Sequence, residues 1–312
     1  MDSKKTDTVK AFKLIIVFLL VPLAAHAEHL FEVGLRAGMA GYNAQCHYVS
    51  PVSGIHGGVL LSYAYHSPYV VGVRVAATVD RSQAGFSKMD YTDSYSVIDV
   101  ENEEMQVDYS IGRLQEKYTT WSVGIPVQLA LAGKNFYLYC GPKMVFPVQS
   151  QWSETAENAA LSVYYPLRDN RVYDSYPLAA SPSFREAQNG SMHISPKVQF
   201  WLAAELGYDI RIHTGARTIS FLSIGVYVDY CLSSIAAEPS ERISLLMLSD
   251  TRDGLPLHRI LTPVVAAQRQ GKRLVSSWRP LDFGIKLSYR IAPNNSRERT
   301  VYPCRCYEKG YF

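Results

Sequence analysis

The chain has 312 residues, 47% of them hydrophobic and 19% charged, and its net charge of +3 gives no electrostatic case for nucleic-acid binding. After the N-terminal region no segment reaches the ~18 uninterrupted apolar residues of a spanning helix, so a helical membrane protein is excluded. The 22 Tyr against 11 Phe and 4 Trp suit strands and membrane-interface belts, where a ring needs one greasy end and one wet end.

The N-terminus carries Lys4, Lys5, Lys10 and Lys13, then the apolar run Leu14 to Leu23, then Ala25-His26-Ala27. That is the layout of a secretory signal peptide, with Ala25 and Ala27 as the small residues of a cleavage site before Glu28. The run is too short for a spanning helix and contains Pro22. An exported chain without spanning helices is periplasmic, secreted or an outer-membrane barrel. Residues 1–27 are therefore expected to be removed, 28–292 to form one all-β domain, and 293–312 to be a periplasmic tail.

Alternation of apolar and polar residues predicts eight strands in chain order. Leu30–Tyr42 sets Phe31, Val33, Leu35 and Met39 against Arg36. Ile55–His66 sets Val59, Leu61 and Tyr63 against His56, Ser62 and His66. Tyr69–Asp80 opposes Val71, Val73, Val75 and Val79 to Arg74, Thr78 and Asp80. Tyr118–Leu131 and Phe136–Gln149 follow, the second with Lys143 on its polar face. Ser195–Ile210 carries Lys197, Gln199, Glu205 and Asp209 opposite its apolar residues, and Thr218–Cys231 carries Asp229. The last strand, Trp278–Ala292, alternates Leu281, Phe283, Ile285, Leu287, Tyr289 and Ile291 with Asp282, Lys286, Ser288 and Arg290.

The gaps alternate between short and long. Ser67-Pro68, residues 132–135 and the turn around Gly215 are short, whereas 43–54, 81–117, 150–194 and 232–277 are long. This is the rhythm of a closed antiparallel up-and-down transmembrane β-barrel with short periplasmic turns and long extracellular loops. The apolar faces then point outward to lipid. Arg36, Arg74, Lys143, Glu205, Asp209, Asp229, Asp282, Lys286 and Arg290 form a charge network in the lumen. Eight strands leave room for little beyond side chains, which argues against an open pore. Ser94–Val100 and Met105–Ile111 flank Glu101–Glu104 as a hairpin would. Within the membrane they would raise the count to ten, but their acidic content suits a hairpin above it. Ile243–Leu248 is apolar for a loop and reads as a cap on the barrel mouth, or else as a docking patch.

Phe31–Met39 (F-E-V-G-L-R-A-G-M), Tyr137–Lys143, Ile224–Tyr230 and Leu281–Arg290, in this order and spacing, resemble the PorT-like outer-membrane β-barrel family of Bacteroidota. Asp282, Gly284, Leu287 and Tyr289 resemble the signal read by the barrel-assembly machinery, although about twenty residues follow it. The resemblance implies an outer-membrane location and no shared catalytic residues. It also suggests, as the alternative role, an accessory component of protein export or surface assembly.

No chemistry is evident. His56, His66, Asp80 and His193 do not form a protease-like or Ser–His arrangement with recognisable spacing, and read as lumen fillers paired with neighbouring charges. Cys304 and Cys306 lack the spacer and second pair of a zinc site and read as an exposed tail pair open to oxidation. The expectation is a monomeric, non-enzymatic outer-membrane barrel without metal or cofactor. Its partners would be membrane lipid, the assembly machinery during insertion, and a protein or envelope component at the surface loops, including the Tyr- and Arg-containing Val163–Pro177.

Overall fold

The computed structural model describes residues 28–293, apart from 67–70, 99–102, 134, 169, 173–183, 192–193, 196, 216–217, 238–243, 249–258 and 270–271. The cleavage residues Ala25 and Ala27, the tail cysteines and His193 lie outside the described residues.

Eight long strands close on themselves: β1 (Glu28–Cys46), β2 (Gly54–His66), β3 (Val71–Ile98), β4 (Glu104–Ala132), β5 (Phe136–Tyr165), β6 (Gln199–Thr214), β7 (Thr218–Cys231) and β8 (Val275–Pro293). Each pairs antiparallel with its chain neighbours, and β8 pairs with β1, from Phe31 opposite Ile291 to Ala44 opposite Trp278. Closure leaves no free edge in this ring, which is what a sheet needs where no water can pair its backbone. The protein is an eight-stranded up-and-down transmembrane β-barrel.

Burial is inverted relative to a soluble barrel. Val33, Leu35, Leu61, Leu129, Val226 and Ile285 on the outer face are each more than 40% exposed, whereas Arg74, Lys286 and Arg290 are 1% exposed or less. The sequence alternation alone allowed either face to be wet; this exposure pattern selects lipid outside and charge inside.

Strands β3, β4 and β5 are 28, 29 and 30 residues long, far beyond the ~9–11 that cross a bilayer. The long connections expected at 81–117 and after 150 are therefore strand over much of their length, and the paired hairpin of β3 and β4 rises above the barrel rather than adding two spanning strands. Along each of these strands the character of the inner face changes. On β4, Gln128 and Ser122 point inward at barrel level, and Tyr118, Leu114 and Ile111 point inward beyond it. The outer face changes in the opposite sense, from Leu129, Val127 and Val123 to exposed Lys117, Gln115 and Arg113. The apolar face switches sides because its apolar neighbour changes from surrounding lipid to an ordinary core.

That core makes a head at one end of the barrel. Its sheet is the upper part of β3–β5 plus Phe184–Ser191, which pairs with β5. The inner face carries Phe86, Tyr91, Val107, Tyr109, Leu114, Trp152, Ala156 and Leu161. Over it pack Leu245, Leu246, Leu261, Val264, Val265 and Leu274 from the long β7–β8 connection. Leu246–Leu248 pairs with Arg259–Leu261 as a short hairpin, so the apolar Ile243–Leu248 stretch is a cap where it is described.

A row of backbone irregularity crosses the head. Asp90 and Asn158 adopt positive φ of 53° and 52°, and Gly112 lies between them, since Met89 and Tyr91 pair with Arg113 and Ile111, which in turn pair with Glu157 and Ala159. Even-numbered residues Phe86, Leu114 and Ala156 face inward before the row, and odd-numbered Tyr91, Ile111 and Ala159 after it. All three strands flip together, so the apolar face stays continuous. Asp and Asn tolerate the left-handed region better than branched residues do.

Candidate functional site: a plugged lumen beneath a capped head

Alternation places one set of side chains from every strand inside the barrel, where they form two charged tiers. The tier nearer the short turns centres on Glu32 of β1, a residue the sequence reading passed over. Its carboxylate accepts from Arg74 at 2.8 Å, Ser62 at 2.7 Å, Ser288 at 2.6 Å and Arg290 at 3.2 Å, and pairs closely with Lys286. Arg74 also reaches Glu205 at 3.0 Å and Gln128 at 2.9 Å; Lys286 pairs with Glu205, and Arg290 with Asp209 at 3.0 Å. Tyr137 and Tyr139 of β5 lie against these cations, the Arg290 guanidinium 3.6 Å from the Tyr137 ring centre. Tyr137 occupies the space that side chains at Gly207 and Gly225 would fill, a reason for glycine at both positions.

The tier nearer the head joins Arg36 to Asp229 at 2.6 Å and to Asp80 at 3.4 Å, and Lys143 to both aspartates at 2.9 Å. Arg36 also stacks over Tyr227 at 3.9 Å. His56 donates to or accepts from Tyr227 at 2.6 Å and lies 3.6 Å from Asp80 and 3.7 Å from Asp282. All nine residues expected in the lumen network thus point inward, and Glu32, His56 and Asp80 join them. Asp80 sits midway along β3, in the lumen rather than at an outer strand end. Lys197, expected on the same polar face, is exposed and takes no part. A sequence signal for Glu32 did exist: it shares the inner face with Arg36, two positions along the alternation.

Burial at this depth requires pairing, and the pairs supply it. Between the tiers the residual space is about 20 Å³, enough for about one water. At the level of the tiers the lumen is filled by its own salt bridges, and a further space of about 40 Å³ lies on the head side of Asp80, Lys143 and Asp282. Most of its charged groups are committed to one another, Asp282 less than the rest, and among the described residues no nucleophile, base and oxyanion donor converge in it. Among the described residues no group of three His, Cys, Asp or Glu is placed to hold a metal. Cys46, Cys140 and Cys231 are free thiols, dispersed over β1, β5 and β7.

The surface that remains available is the head. Along part of one edge of its sheet, β3 has backbone partners on one side only among the described residues. β3 pairs with β2 up to Ser82 and with Ser50–Val52 at Gly85–Ser87; from Lys88 to Ile98 its described backbone partners are all on β4. Met89 and Ile98, at either end of this run, are 62% and 64% exposed.

No protein-family profile matches the chain, and no characterised protein is similar to it in sequence. Among solved structures it is similar to the neisserial surface protein NspA, at 11% identity over 84% of this chain and 96% of that one, with a TM-score of 0.31. It is also similar to Ail, the attachment invasion locus protein of Yersinia pestis, solved with the heparin analogue sucrose octasulfate, at 9% identity over 84% and 99% of the two chains, with a TM-score of 0.25.

Proposed function

We propose that the protein is a non-enzymatic outer-membrane barrel whose head faces outside the cell and docks a protein partner along the open edge of β3. The observation that carries this reading is the run Lys88–Ile98, whose backbone partners among the described residues all lie on β4, leaving its other side to an added strand. Such an edge offers a row of backbone donors and acceptors to an added strand. Proteins that avoid pairing protect their edges with proline or lysine, and this run contains no proline and a single lysine, Lys88. The hairpin it leads into is acidic, with Asp90, Asp93, Asp99, Glu101, Glu103 and Glu104 in sequence. An extended partner segment carrying Lys or Arg complements it. A filled lumen argues for this role over transport of a solute, and an outward placement of the head follows the general rule of short turns inside and long connections outside.

A photo-crosslinker at Thr92, Ser94 or Ser96 on intact cells should trap a discrete protein. The same probe at Gln151 or Ser153 on the outward sheet face should not, and Lys at Thr92, Ser94 and Ser96 together should abolish the adduct while the barrel still folds. Equal trapping at edge and face positions would contradict edge docking. The PorT-like resemblance supports the alternative of an accessory role in export or surface assembly. Failure of export in a deletion strain that survives the edge substitutions would favour it.

A further inference from the structure

Two acidic residues in the head belong neither to the lumen network nor to the open edge. Glu116 on β4 and Glu154 on β5 stand directly opposite each other, both on the inner face, 2% and 1% exposed. Their surroundings are apolar: Phe86, Leu114, Trp152, Ala156, Val264 and Val265 belong to the same cluster. One oxygen of Glu116 accepts the Val264 N–H at 2.6 Å. The other oxygen of Glu116 and both of Glu154 have no hydrogen-bond partner. Two ionised carboxylates side by side in such a place call for a cation, and among the described residues none forms an ion pair with either.

We propose that Glu116 and Glu154 form a proton-operated latch: with a shared proton they hold the 262–267 segment down on the head, and with both ionised they release it. The geometry supplies both halves of the device. The Val264 N–H is a direct tie from the pair to the segment, and Thr262 N–H to Leu245 O at 2.8 Å extends the tie to the neighbouring cap hairpin. A proton between the carboxyls gives one oxygen a donor and removes one of two like charges. The groups packed around the pair supply no alternative compensation. β1 brings the Tyr42 hydroxyl and β3 the half-buried Lys88, which forms no ion pair with either carboxylate. β4 brings Tyr118, and 184–191 brings Gln188, opposite Glu154, and the half-buried Glu186, which adds negative charge if anything. The Gln188 side-chain oxygen accepts the Leu261 N–H at 2.8 Å, and its amide nitrogen does not reach Glu154, both of whose oxygens are without a partner.

Both carboxyls lie above the membrane-spanning part of their strands. Burial pushes Glu116 up to about 8 against the Val264 hydrogen bond, and burial together with the Glu116 charge holds Glu154 well above the usual carboxylate range. An acid whose folded-state value is raised binds more protons folded than unfolded. Its contribution is therefore present in acid and is lost as pH rises from the unfolded value near 4.5 through the folded one. The latch closes in acid and loosens toward alkaline pH.

The test is hydrogen exchange of the peptide covering 262–267 in the full chain, folded in lipid nanodiscs, at pH 5.5, 7 and 8.5, with Glu154→Gln measured beside it at each pH. The glutamine amide donates to Glu116 at every pH, so the ratio of wild-type to variant exchange cancels the intrinsic pH dependence. The ratio should be near one at pH 5.5 and rise about tenfold by pH 8.5, the equivalent of one pK unit of linkage. A ratio that stays flat, or falls with pH, overturns the proposal. So does restoration of wild-type protection at pH 8.5 by calcium, because a bound cation would then be doing the proton's part. Should Glu154→Gln fail to fold, Glu116→Gln takes its place. Should both fail, wild-type exchange at 262–267 relative to a β7 peptide decides, since only the former should accelerate beyond the intrinsic rate.

Discussion

Glu32 and Asp282 look alike in the sequence, a single acid on the polar face of a strand, yet the lumen treats them differently. Glu32 is held by three cations and two serines. Asp282 leaves one oxygen unpartnered and among the described residues has only His56 within ion-pair reach. The tier containing Asp282 counts three aspartates, Asp80, Asp229 and Asp282, against Arg36 and Lys143. Removing one member of a buried, compensated cluster strands the opposite charges, at a cost of about 3–5 kcal/mol. Glu32→Ala is accordingly expected to lower the unfolding free energy of the lipid-embedded barrel by about that amount, read from urea unfolding followed by intrinsic fluorescence. Asp282→Asn removes the excess charge and should be neutral or stabilising in the same assay. Equal losses for the two variants would mean that the tiers do not discriminate as the distances say. Nine of the lumen residues were legible because period-two alternation names the inward set. Their pairing was not, since Arg74–Glu205 and Arg36–Asp229 join residues more than a hundred positions apart, and no local spacing encodes such contacts.

At the scale of elements, the spanning parts of all eight strands could be read from alternation, and the short turns fixed where they end. The upper halves of β3, β4 and β5 could be read only in part, as the hairpin of Ser94–Val100 and Met105–Ile111 above the membrane. There the apolar residues switch to the inner face and the alternation slips by one at Asp90, Gly112 and Asn158, so a reading that demands one constant phase sees a loop. The change from a polar to an apolar inner face concealed Glu116 and Glu154, which fall in the stretches assigned to loops. The row is costly to alter. Asn158→Val asks a branched residue to occupy positive φ, which costs about 1–3 kcal/mol. The expected result is faster hydrogen exchange in 152–165 and across 184–191, with the barrel peptides of β7 and β8 unchanged. Acceleration throughout the barrel would show that head and barrel unfold as one unit, contrary to the separate clusters they possess.

The molecule as a whole has two interiors of opposite character on continuous strands: an ionic one enclosed by lipid and an apolar one enclosed by water. In the proposed reading the filled barrel is a pedestal that presents the β3 edge, and the head it carries holds the acid pair above the membrane-spanning part of the strands. Everything else depends on where the apolar face of the lower strands points. The most direct measurement is fluorescence quenching of single environment-sensitive probes attached at Leu35, Val75, Val226 or Ile285 on the barrel wall, compared with Ser153 on the head, in vesicles of brominated lipid and then with aqueous iodide. The four wall positions should be quenched by the brominated acyl chains and untouched by iodide, and Ser153 the reverse. Wall probes quenched by iodide, with no response to brominated lipid, would contradict the account.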